Sequence, residues 1–299
     1  MKTPSTLPDT IPNASTRRGV IVMLVSVLAF TINTLLLRYL SGESRGIGPE
    51  VPLLFRAMIG MILVFAFFRG RRPTRLVPVF KDRLLILRGV TGLLGTAAYY
   101  WTVPALGAGM ATLICNTYVI FASLIAVLAL GEKLTVARFA WLGVSFVGII
   151  LLVGPNADVE NFGIGFHEIL AIVGAILAAS SVVLVRRLVA DYSIGTIYLS
   201  QCVWIFLPLV FLAGPKLLEL GGGDIVMLII AGVAAGWGQL AMNEGYRCLS
   251  VSAGASLQML WPVLTTTGGF LLFGESFVAL QILGAILILA SVWRVSVKK

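Results

Sequence analysis

Polar side chains are scarce in the long apolar runs of this chain, and most that occur are amides, hydroxyls and aromatic rings. Asn33, Asn116, Gln201, Gln239 and Gln258 stand inside such runs, joined by Tyr99, Trp237 and Trp261. Amides donate and accept hydrogen bonds without changing charge, and rings stack on planar or apolar groups. That chemistry holds a small molecule; it does not cleave one. The lone histidine, His167, and the dispersed Cys115, Cys202 and Cys248 form no catalytic triad, no metal-ligand spacing and no CxxC pair. No enzyme, cofactor or metal centre is expected. Glu244, a carboxylate inside an apolar run, stands three residues before Arg247, a spacing that suits an ion pair on one helix.

The elements that must position these groups follow from composition. Of 299 residues, 59% are hydrophobic and 12% charged, whereas soluble domains carry roughly 25% charged residues. The mean hydropathy is +1.00. Such a chain lacks the charge to cover a water-facing surface, and its runs lack the period-two pattern of a membrane β-strand. An all-α integral membrane protein is expected. A net charge of +9 reads as loop charge that orients spans, not as a nucleic-acid surface.

A span needs about 20 apolar residues. Ten runs qualify: 19–40, 51–69, 84–103, 107–130, 136–154, 165–187, 193–213, 224–246, 250–273 and 277–295. Residues 1–18 make a polar tail expected to be disordered, and 296–299 a short tail. The first run has no cleavage signature and reads as a retained helix. With both termini cytoplasmic, only Arg38, Arg45, Arg56 and Lys216 of the 22 basic residues fall on the opposite side, as the positive-inside rule asks.

Two apolar runs end in the same doublet, Gly131-Glu132 and Gly274-Glu275. An offset of 143 positions superposes 95–132 on 238–275 without a gap, matching Gly95 to Gly238 and Ala98 to Ala241. Five spans before the repeat and five after it divide the chain into halves, 19–154 and 155–295. Because five is odd, the second half enters the membrane from the other side. The doublets are then helix-end motifs at opposite faces of an inverted repeat, a plan typical of transporters.

The ten-run plan, "FRAMIG" opening the second run, "VPALGAGMATLI" and "YRCLSVSAGASL", and "LGEKL" and "FGESF" closing the fourth and ninth, together resemble the drug/metabolite transporter superfamily. Within it the chain resembles EamA-domain exporters, most of all the aromatic amino-acid exporters of the YddG type. The resemblance implies a bacterial inner-membrane exporter of a small, amino-acid-like metabolite, able to act as a monomer in the lipid bilayer. The expected cavity draws on Asn33, Tyr99, Asn116, Trp237, Gln239, Gln258 and Trp261, with Pro262, Gly268 and Gly269 as a kink or gate. Small multidrug-resistance members of the superfamily carry a proton on a carboxylate in the first helix; "AFTINTLLL" has none. Every Lys and Arg reads as lying near a span end, which argues against nucleotide-sugar or phosphate-ester cargo.

Overall fold

Lipid offers no partner to backbone N–H and C=O groups, so a run that sits in it must satisfy its own, as a helix does. The computed structural model describes residues 13–42, 45–68, 74–130, 136–153, 165–249, 254, 257–258 and 260–297. Among them every regular element is helical. The first part of the chain forms α1 (Asn13–Leu40), α2 (Glu50–Phe67), the short α3 (Val77–Lys81), α4 (Arg83–Leu106), α5 (Ala108–Asn116), α6 (Tyr118–Leu130) and α7 (Val136–Val153). The second forms α8 (Phe166–Leu188), α9 (Ile194–Ala213), a 3-10 turn (Pro215–Glu219), α10 (Gly222–Cys248), α11 (Leu260–Phe273) and α12 (Ala279–Val297).

Among the described residues, five helical segments are long and apolar enough to cross a membrane: Thr16–Leu40, Glu50–Phe67, Phe166–Leu188, Ile194–Ala213 and Gly222–Cys248. Among the described residues, Leu260–Phe273 and Ala279–Ser291 are shorter apolar helices, and Ala108–Ala122 is a short apolar helical stretch that runs from α5 into α6. Large apolar side chains such as Ile62, Phe211 and Leu271 point outward. This chain is a multi-pass membrane protein whose outer surface is built for acyl chains.

The packing repeats itself. Helix α1 lies on α10 as α4 lies on α8, α2 meets α10 as α4 meets α9, and α1 meets α11 as α8 meets α5 and α6. Exchanging α1 with α8, α2 with α9, α4 with α10, α5–α6 with α11 and α7 with α12 turns each of these contacts into another. Near the helix ends, Arg38 Nη1 donates to the Pro104 carbonyl (2.8 Å) and Arg186 Nη1 to that of Tyr246 (3.0 Å). That pair obeys the same exchange. Nearly all of these contacts join the first part of the chain to the second, so one core is shared between them.

Two expectations are corrected. The 107–130 run is two helices, because the Thr117 N–H and Oγ1 both return to the Ile114 carbonyl (3.1 and 2.6 Å) and compete with the regular ladder. Pro262 stands in α11, and Leu257 and Gln258, described just before that helix, are helical as well. The 69–83 connector contains α3, and α4 continues through Pro104 to Leu106.

The second doublet now has a physical account. Gly274 takes φ 65°, a left-handed turn open to glycine, and the N–H groups of Gly274 and Glu275 return to the carbonyls of Phe270 and Gly269 (both 3.2 Å). The turn aims the Glu275 carboxylate at the start of α5. There it accepts from the Ala108 and Gly109 N–H groups (2.7 and 3.0 Å) and pairs with Arg38 Nε (3.2 Å). One residue therefore closes the end of α11 through its backbone, and through its side chain caps α5 and ties it to α1. Gly131 and Glu132 lie outside the described residues.

Candidate functional site

Where α1, α2, α4, α8, α9 and α10 converge, the core is left partly open. The cavity holds about 110 Å³ of free space. Its most polar residues are two arginines. Arg56, on α2, and Arg88, on α4, are 5% and 2% exposed. The sequence reading placed both with the loop charges near span ends; the structure corrects this, since both side chains reach the cavity.

Each guanidinium is held by a glutamine from the second part of the chain. Arg56 Nη2 donates to Gln239 Oε1 and Arg88 Nη2 to Gln201 Oε1, both at 3.0 Å. The glutamines are themselves oriented: Gln239 Nε2 donates to Asn243 Oδ1 (3.1 Å), and Gln201 Nε2 to Thr96 Oγ1 (2.8 Å) and the Gly92 carbonyl (3.2 Å). Arg56 also lies 5.8 Å from the ring centroids of Phe30 and Tyr100, within cation–π range. Arg88 has no such support. Its Nε and Nη1 are buried and make no hydrogen bond among the described residues. A side chain at Gly92 would strike Arg88 and Gln201, so the glycine leaves room for the pair. Burying a cation without a counter-charge costs roughly several kcal/mol, and no carboxylate lines this cavity among the described residues.

Part of the lining is aromatic. Trp261 packs edge-on to Tyr99 (5.4 Å between centroids) and tilted against Phe30 (5.6 Å). Tyr99 is fixed by hydroxyl contacts to Thr34 (2.7 Å) and Thr112 (2.9 Å). The Trp261 indole N–H has no partner among the described residues. The cavity thus sets cations and amides against rings.

Of the residues expected from sequence, Asn33, Tyr99, Gln239 and Trp261 line this cavity together. Asn33 is already used, donating to the Ala231 carbonyl and accepting from the Tyr100 hydroxyl (both 3.1 Å). Asn116 is buried beside the α5–α6 break, with neither end of its amide paired among the described residues. Gln258 donates to Ser26 Oγ and Met23 Sδ (both 3.0 Å) and so fastens α1. Trp237 is 40% exposed and rests on Phe67 on the outer face. Gly268 lets α1 approach through Leu35, and Gly269 faces Glu275 and α5. Glu244 pairs with Arg247 (2.7 Å), and also with Arg18 (3.0 Å). Arg56 and Arg88 were missed, although an ionisable residue inside an apolar run is itself the signal for a functional site.

This architecture has a family. Residues 17–154 and 165–297 each match the model of the EamA-like transporter family. The chain therefore belongs to the EamA-like transporter family, and the two matches are two copies of its domain. It is 25% identical to a pseudopaline exporter of Pseudomonas aeruginosa, over 92% of this chain and 94% of that one. It is 26% identical to a riboflavin transporter of Rhizobium johnstonii, over 69% and 67%. It is 23% identical to solute carrier family 35 member G1 of Mus musculus, over 77% and 64%. One crystal structure, 17% identical and covering 93% of this chain and 95% of its own, shares the fold with a TM-score of 0.59. Family and relatives mark a small-molecule transporter rather than an enzyme. These names do not support the finer resemblance to aromatic amino-acid exporters.

Proposed function

We propose that this protein exports a small, partly apolar metabolite across a bacterial inner membrane by alternating access between two inverted five-helix halves. In this reading there are ten spans with both termini cytoplasmic, and 19–154 and 155–295 are the halves. The observation that carries it is the central cavity, whose walls come from both parts of the chain and whose packing maps onto itself when the parts are exchanged. A site at a repeat interface is reached from either side as the halves rock.

The rings of Tyr99, Trp261 and Phe30 suit an aromatic or large apolar group, which keeps aromatic amino acids among the candidates. A second reading gains ground from Arg56 and Arg88. Phosphorylated cargo was set aside because no cation was expected deep in the spans, and that ground is gone. Uptake into liposomes carrying the purified protein separates the two. The panel is aromatic and aliphatic amino acids, aromatic carboxylic acids, sugar phosphates and riboflavin, with and without a pH gradient. Accelerated uptake of unphosphorylated aromatic compounds supports the first reading, and a strict preference for phosphate esters replaces it with the second. Rates equal to empty liposomes for every compound would sink both.

A further inference from the structure

The cavity's charge is one-sided, and from it we infer that the cargo is an organic anion whose carboxylate seats on Arg88. The inference rests on the transporter reading and sharpens it. Arg88 is buried, held on one side by Gln201 (3.0 Å) and, among the described residues, left with free donors at Nε and Nη1. Arg56 adds a second positive charge within the same cavity, and no carboxylate among the described lining residues balances either one. The protein keeps two cations where water is scarce, oriented but unneutralised. A guanidinium with free N–H groups takes a carboxylate through charge-assisted hydrogen bonds.

The same accounting speaks against a zwitterion. An α-ammonium group would enter a cavity that already carries two guanidiniums and offers it no carboxylate, only amide and hydroxyl oxygens. An α-hydroxy or α-keto acid brings the same carboxylate and apolar body without that repulsion. The aromatic wall of Tyr99 and Trp261 then receives the rest of the molecule. Phosphate esters share the anionic chemistry and could use the same Arg88 donors, so phenyl phosphate is set beside the carboxylates in the test.

Four probes of one shape divide the possibilities: 3-phenyllactate, phenylalanine, phenylalaninamide and phenyl phosphate. In liposomes carrying the full chain, 3-phenyllactate should enter at least about tenfold faster than phenylalanine, with phenylalaninamide slower still. Arg88→Gln should lower 3-phenyllactate uptake by about tenfold or more. Gln201→Glu keeps Arg88 and supplies an internal carboxylate, so it should silence anion uptake and favour phenylalaninamide. Size-exclusion chromatography shows whether each variant is folded.

Faster uptake of phenylalanine than of 3-phenyllactate would overturn the carboxylate seat and leave the transporter reading standing. So would undiminished 3-phenyllactate uptake by folded Gln201→Glu protein. Preference for phenyl phosphate over 3-phenyllactate would keep the anion but reject the carboxylate. If none of the four moves while other compounds in the wider panel do, the seat is wrong and the transporter reading survives.

Discussion

Removing the Glu275 carboxylate should loosen three helices at once. Glu275→Ala takes the acceptor from the Ala108 and Gly109 N–H groups and the partner from Arg38 Nε. Loss of an N-cap costs about 0.5–2 kcal/mol, and stranding a buried N–H costs about 1–3 kcal/mol. The Arg38 pair adds less than about 1 kcal/mol, because Arg38 is 28% exposed and keeps its bond to the Pro104 carbonyl. These terms overlap, and the combined loss is about 2–4 kcal/mol. Glu275→Gln retains one acceptor oxygen and should lose about half of that. The assay is the thermal midpoint of the detergent-solubilised protein, with Arg38→Ala and the double mutant completing a cycle. Coupling of about 0.5–1 kcal/mol is expected between the two side chains. A wild-type midpoint for Glu275→Ala would refute the capping role. Loss of only the pH-driven part of transport in Glu275→Gln would do so differently, by making Glu275 a proton carrier.

Other outcomes follow from the same geometry. Single cysteines in the 69–83 loop should be shielded from an impermeant external thiol reagent and ones at 156–160 should react, in a background without native cysteines; the reverse pattern would invert the proposed topology. Trp261→Phe, which keeps a ring against Tyr99 and Phe30, should slow transport at near-normal stability, whereas Gln258→Ala should lower the thermal midpoint, because its amide fastens α1 through Ser26 and Met23; equal effects of both on both readouts would contradict that division. The Tyr192 hydroxyl and the N–H groups of Leu84 and Leu85 hold the Asp82 carboxyl below its ordinary value. Its stabilisation is therefore full above the ordinary carboxylate range and lost as pH falls through the lowered value. Asp82→Asn should flatten that acid-side decline in the thermal midpoint; an unchanged slope would remove Asp82 as its source.

Much of the fold was legible because lipid leaves few choices. Runs such as 19–40, 165–187 and 193–213 had to be helices, and the recurrence of Gly-Glu exposed the repeat before any contact was known. The Thr117 break was not legible, since a side chain capturing the Ile114 carbonyl leaves no mark on an apolar pattern. Nor was the outward position of Trp237, because a helix apolar on every side carries no stripe to say which face is buried. Tyr99, Trp261, Asn33 and Gln239 were found by asking which polar or aromatic groups stand in apolar runs. Arg56 and Arg88 were lost when that question yielded to topology. Each lies a turn or two inside its helix, where a basic residue reads equally as a loop charge or as a long side chain reaching inward.

The central claim is that cargo passes through the cavity between the halves. Cys115 lines that cavity and gives it a handle. In protein carrying Cys202→Ser and Cys248→Ser, methyl methanethiosulfonate adds one small thiomethyl group there, and dithiothreitol removes it. The best-transported compound of the panel should slow this modification, its uptake should fall as Cys115 is modified, and reduction should restore it. Complete modification of Cys115 with unchanged uptake would contradict the account.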